Sequence, residues 1–130
     1  MPLVRIDIAA GMPVDYRKAI GDVIYDAMRS TLNIPPDDRF QIISEHQREN
    51  FIVDPTFLGI ERTNSCIVIQ VTLNDGRALD VKCSFYKAVV SGLVERLKTR
   101  PQDVFINLVE VRRENWSFGN GEAQFAEVVR

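Results

Sequence analysis

Cys66-Ile67-Val68-Ile69-Gln70-Val71-Thr72-Leu73 runs directly into Asn74-Asp75-Gly76, and the reading of this stretch decides the fold. Apolar and β-branched residues at nearly every position describe a strand covered on both faces, or covered on one face by a neighbouring chain. Asn74-Asp75-Gly76 turns the chain. Beyond the turn, Phe85, Val89, Gly92, Leu93 and Leu97 recur at helical spacing, which predicts a helix from about Leu79 to Lys98. Val104-Phe105-Ile106-Asn107-Leu108-Val109 then reads as a second strand.

The first half has the same order. Leu3-Val4-Arg5-Ile6-Asp7-Ile8-Ala9 alternates like a strand, and Gly11 and Pro13 interrupt it. Ala19, Ile20, Val23, Ile24, Ala27, Met28 and Leu32 predict a helix from about Asp15, its expected N-cap, to Leu32. Pro35-Pro36 stops it, and Phe40-Gln41-Ile42-Ile43 starts another strand. The halves superpose at a constant offset of 65 positions: Gly11 on Gly76, Asp15 on Asp80, Met28 on Leu93, Pro36 on Pro101, Asp38 on Asp103 and Phe40 on Phe105. The expected fold class is α/β: duplicated β-α-β units over about 3–45 and 66–111, with parallel strands inside each unit. Together they make one domain with a four-stranded sheet and two helices on one face. The other face is too apolar to stay in water, so self-association is expected. The segment Asn50–Asn64 fits neither unit, and the aromatic tail 112–130 lies outside the repeat.

Composition narrows the function. The 130 residues carry a net charge of −2 with scattered basic residues, which gives nucleic-acid binding little support. No stretch approaches the ~20 apolar residues of a membrane span. The N-terminus lacks a basic-then-apolar signal, so the cytosol is the expected compartment. One histidine, His46, and two distant cysteines, Cys66 and Cys83, present no zinc ligand set, and no phosphate-binding glycine loop precedes a helix. The cysteines read as small buried apolar residues, with a disulfide left open.

Four places remain for chemistry. Removal of Met1 would leave Pro2 as a secondary amine at the start of the first strand. In an apolar pocket the charged form of such an amine is disfavoured, and either protonation state is useful near neutrality. With Met1 retained, the Pro2 nitrogen is an amide and this chemistry is blocked. Asp38, in Asp37-Asp38-Arg39, either orients an amine or water, or serves a turn, as the equivalent Asp103 would. Arg77 either holds a substrate carboxylate in a bidentate pair or is a solvated loop residue; Arg39 and Arg5 are weaker candidates of the same type. Trp116, Phe118 and Phe125 either wall and dry a pocket or simply pack the tail.

Taken together, Met1-Pro2-Leu3, Pro36-Asp37-Asp38-Arg39-Phe40-Gln41, Cys83-Ser84-Phe85-Tyr86-Lys87 and Asn115-Trp116-Ser117-Phe118-Gly119, with Phe125, resemble the tautomerase superfamily. The likeness is closest to the malonate semialdehyde decarboxylase family. It implies a homotrimer with sites near subunit boundaries and no metal or organic cofactor. It also implies a site made of Pro2, Asp38, arginines before the second helix, and Trp116, Phe118 and Phe125. Arg77 matches the second of that family's two arginines, and Asn74 or Asp75 stands where the first would be. The function expected is keto–enol tautomerisation of small 2-oxo acids, with Pro2 as base and Arg77 on the carboxylate. The alternatives are a decarboxylase or hydratase of the malonate semialdehyde decarboxylase type, and a non-catalytic trimeric binding protein that keeps the fold.

Overall fold

A computed structural model describes residues 1–126. Strand β1 (Leu3–Ala9) leads into helix α1 (Val14–Leu32) and strand β2 (Phe40–His46). Strand β3 (Ile67–Asn74) leads into helix α2 (Leu79–Leu97) and strand β4 (Val104–Val111). The sheet order is β2-β1-β3-β4. Each unit pairs its own strands in parallel and with the same stagger: Leu3 opposite Phe40, Ile67 opposite Val104. The two units meet at an antiparallel seam in which Leu3 lies opposite Thr72.

Alternation fixes the faces. Val4, Ile6 and Ile8 of β1 and Ile67, Ile69, Val71 and Leu73 of β3 are buried under the helices. They meet Ile20, Ile24 and Met28 of α1 and Phe85, Val89 and Leu93 of α2 in one core. The opposite face carries Phe40, Ile42, Phe105 and Val109, all exposed.

The offset of 65 is kept by the backbone. Both helices begin and end at equivalent residues. Gly11 and Gly76 take the left-handed conformation at equivalent turns, with φ of 105° and 112°. Asn33 and Lys98 close the two helices with φ of 54° and 57°. Asp15 is not the N-cap of α1. Pro13 takes that position without a side-chain hydrogen bond, and Asp15 lies in the first turn, where its charge suits the helix dipole.

The duplication also runs further than periodicity indicates. After β2 comes a 3-10 turn at Arg48-Glu49-Asn50 and then Phe51. After β4 comes a 3-10 turn at Arg113-Glu114-Asn115 and then Trp116. The linker segment and the aromatic tail thus start as equivalent parts of the two units, a correction to the reading that both lie outside the repeat. The last four residues assigned to that tail, 127–130, lie outside the described residues.

The helices touch closely at Gly92, where an added Cβ would lie 2.6 Å from Cγ1 of Val23. Val23 is β-branched and has little rotamer freedom with which to give way. Gly92→Ala is therefore expected to cost about 1–2 kcal/mol net, overpacking exceeding the gain in helix propensity. A urea titration would read this, and an unchanged or raised midpoint would contradict it. Cys66 and Cys83 are both free thiols. Cys66 is 1% exposed, and burial, followed by the nearby Asp103 charge, pushes its thiol pKa up. A thiol reagent should modify Cys83 first in the native protein and reach Cys66 only on unfolding, which peptide mapping after timed labelling would test.

Candidate active site

The start of β1, the start of β2 and the end of β3 come together at one end of the sheet. Asp38 reaches this corner through a tight turn. Asn33 closes α1, Pro35 and Pro36 prevent its continuation, and the Asp38 amide donates to the Pro35 carbonyl at 3.2 Å. The turn is tied to α1. The Tyr25 hydroxyl donates to the Pro36 carbonyl, and Arg39 pairs with Asp22 at 2.8 Å while lying over the Tyr25 ring. Arg39 and Lys18 hold the Asp22 carboxyl below its usual pKa range. Arg39 is thus turned toward the helix.

Asp38 itself is 5% exposed. Its Oδ2 faces the Met1 ammonium at 2.6 Å, and neither oxygen receives a hydrogen bond from any other described group. A buried carboxylate is costly unless paired, so the amino end of the chain is what balances it here. Asp103 provides an internal comparison. It is equally buried, but it accepts hydrogen bonds from the Thr63 amide at 2.7 Å and the Thr63 hydroxyl at 2.6 Å, with a long contact from Arg100 at 3.4 Å. One aspartate of the repeat is committed to structure. The other has the amino end of the chain as its one close described partner.

Beside this corner is a cavity of about 230 Å³ walled by Met1, Pro2, Leu3, Phe40, Trp116 and Phe118. Pro2 is buried. The Trp116 indole donates to Oδ1 of Asn74 at 2.7 Å, which fixes the plane of the ring. Phe118 stacks on Trp116 at 5.3 Å, and Phe125 meets Phe118 edge-on at 4.8 Å. Arg113 covers the Phe125 ring at 5.1 Å. Gln124 fastens the tail from both sides, accepting from the Phe118 amide and donating to the Gly119 carbonyl.

Of the residues singled out in the sequence, Pro2, Trp116 and Phe118 line the cavity. Asp38 lies behind Met1, and Phe125 backs Phe118. Arg77 is placed differently. Its guanidinium donates to the carbonyls of Asn74 at 3.2 Å and Leu32 at 3.3 Å, joining the end of β3 to the open C-terminus of α1. It is not among the cavity walls, though it reaches them through Asn74, which also holds Trp116. Asn74, which the sequence offers as a turn residue and, with Asp75, at the place of the family's first arginine, is brought to the cavity wall through Trp116.

Known proteins resemble this chain in sequence and in fold. A tautomerase enzyme family model matches residues 2–60, and a second model of the same description matches residues 38–119. A probable tautomerase of Bacillus subtilis (strain 168), YusQ, is 36% identical over 127 residues, covering 98% of this chain and 100% of that protein. A malonate semialdehyde decarboxylase inhibited by 3-bromopropiolate superposes with a TM-score of 0.88 at 35% identity, covering 95% of this chain and 93% of that one. A fused 4-OT symmetric trimer shares the fold, with a TM-score of 0.77 at 19% identity over 95% of this chain and 97% of that one. The matches span both β-α-β units and the aromatic tail, and the chain belongs to the tautomerase family of enzymes.

Proposed function

We propose that the chain, once Met1 has been removed, interconverts the keto and enol forms of small 2-oxo acids with the Pro2 amine as proton carrier. The observation that supports this most is the buried Asp38 carboxylate, whose one close described partner is the amino end of the chain, at the edge of an aromatic cavity. Loss of Met1 empties the space its side chain fills beside Leu3 and Phe40 and brings the free amine to Pro2, one residue (about 3.8 Å of chain) further on. Asp38 then orients that amine. The neutral amine takes the proton from the carbon next to the carbonyl and returns it elsewhere on the same substrate, so that no net proton is consumed. Arg77 stands behind Asn74, outside the cavity walls; in this reading it turns the donors not spent on the two carbonyls past Asn74 to the substrate carboxylate. Trp116, Phe118 and Phe125 keep water out.

The working form in this reading is a cytosolic homotrimer. The sheet face bearing Phe40, Ile42, Phe105 and Val109 supports it, because an apolar surface of this kind is normally covered by a partner. A second reading is decarboxylation of a 3-oxo acid with Pro2 cationic, supported by the likeness to the malonate semialdehyde decarboxylase. The test compares phenylenolpyruvate ketonisation with malonate semialdehyde decarboxylation, after intact mass has shown the N-terminus. The preferred substrate selects the branch. Inactivity of a correctly processed trimer toward both would overturn the enzymatic reading.

A further inference from the structure

The second unit repeats the surroundings of the first site at the opposite end of the sheet. Cys66 occupies the place of Met1, Asp103 that of Asp38, Phe105 that of Phe40, and Phe51 that of Trp116; Val53 falls at the position of Phe118. A cavity of about 230 Å³ is present there too, lined by Ala9, Arg48, Phe51, Val53, Arg62 and Cys66 among others. It adjoins a groove of similar size along Val68 and Phe105.

The chemistry of this end differs in three ways. Cys66 lies within the chain and offers no amine, and burial raises its thiol pKa, so it is a poor nucleophile. Asp103 is fully engaged by Thr63 and Arg100. The walls contain two guanidinium groups, Arg48 and Arg62, and no carboxylate. Arg62 is held in place by donating from Nη1 to the Phe57 and Ile60 carbonyls, which leaves its Nη2 and Nε. A half-apolar cavity with two cations and no acid suits an anion with a flat apolar body.

We infer that this end of the sheet is a second, non-catalytic binding site for a small carboxylate, with the carboxylate on Arg48 and Arg62 and the apolar part against Phe51 and Val53. The site depends on these walls and not on any activity at Pro2.

Phenylacetate is the probe, added to the full chain in its native assembly and followed by amide NMR shifts and calorimetry. The expected result is binding of a second molecule per chain, with shifts around Phe51–Val53 separate from those around Trp116–Phe118. Arg48→Gln removes a charge-assisted bond and should weaken that second event about tenfold. Val53→Trp fills the cavity and should abolish it. Both variants should leave the first binding event, and turnover at the other end, unchanged. Shifts confined to Trp116–Phe118, or a second event indifferent to both substitutions, would overturn the assignment. Loss of turnover in wild type with the second event intact would count against the proposed function alone.

Discussion

With alanine in place of Pro2, kcat/KM for the favoured oxo-acid substrate falls by about 10²- to 10⁴-fold, the span normally attributable to a positioned proton-transfer group. The chain still folds, because the Pro2 ring contributes one edge of a cavity and none of the main core. Alanine also permits removal of Met1, so an amine remains. What is lost is the secondary amine and the fixed backbone angle that aims it. A preparation that keeps Met1 provides the harsher comparison. Its Pro2 nitrogen is an amide, and the ammonium that pairs with Asp38 belongs to the wrong residue. That preparation should show background rates only. Initial rates on mass-verified protein measure both effects, and rates indifferent to both changes would remove the amine from the mechanism.

The second large effect divides two aspartates that the repeat makes equivalent. Asp38→Asn is expected to lower kcat by about 10²-fold while changing thermal stability little, because the ion pair lost with the amino end of the chain offsets the relief of a buried carboxylate that has no other partner. Asp103→Asn should do the reverse. It replaces an acceptor of two short hydrogen bonds from Thr63 and lowers stability by about 2–3 kcal/mol, with turnover per folded chain preserved. Denaturant midpoints and initial rates on the same preparations give all four numbers. Equal behaviour of the two variants would mean that Asp38 is a turn residue like its counterpart.

The sequence carried most of the fold because the duplication repeats every local signal at one spacing. Gly11 and Gly76, the apolar faces of both helices, and the Phe40 and Phe105 strands each support the other. It carried less where the outcome depends on partners distant in the chain. Locally Asp38 and Asp103 differ by little more than Arg100, whose counterpart is Pro35 and whose contact with Asp103 is long. The main difference comes from Thr63, which lies in the connecting segment and reaches across the fold to only one of them. Arg77 reads as a loop cation, and its hold on the Leu32 carbonyl depends on how α1 ends against β3. The paired Arg-Glu-Asn-aromatic turns were visible in the letters, but short 3-10 turns leave no hydrophobic period by which to find them.

Trp116 is the only tryptophan of the chain, and its indole is held against Asn74 in the wall of one cavity. The equivalent position at the other end is Phe51, which stacks on His46. Excited at the red edge of indole absorption, the molecule therefore emits from one end of its sheet and is dark at the other. Occupancy of the proline-bearing cavity can be followed by quenching without a label. Ligands arriving at the opposite end stay optically silent, and the ratio of calorimetric to fluorescent stoichiometry counts the ends that are filled.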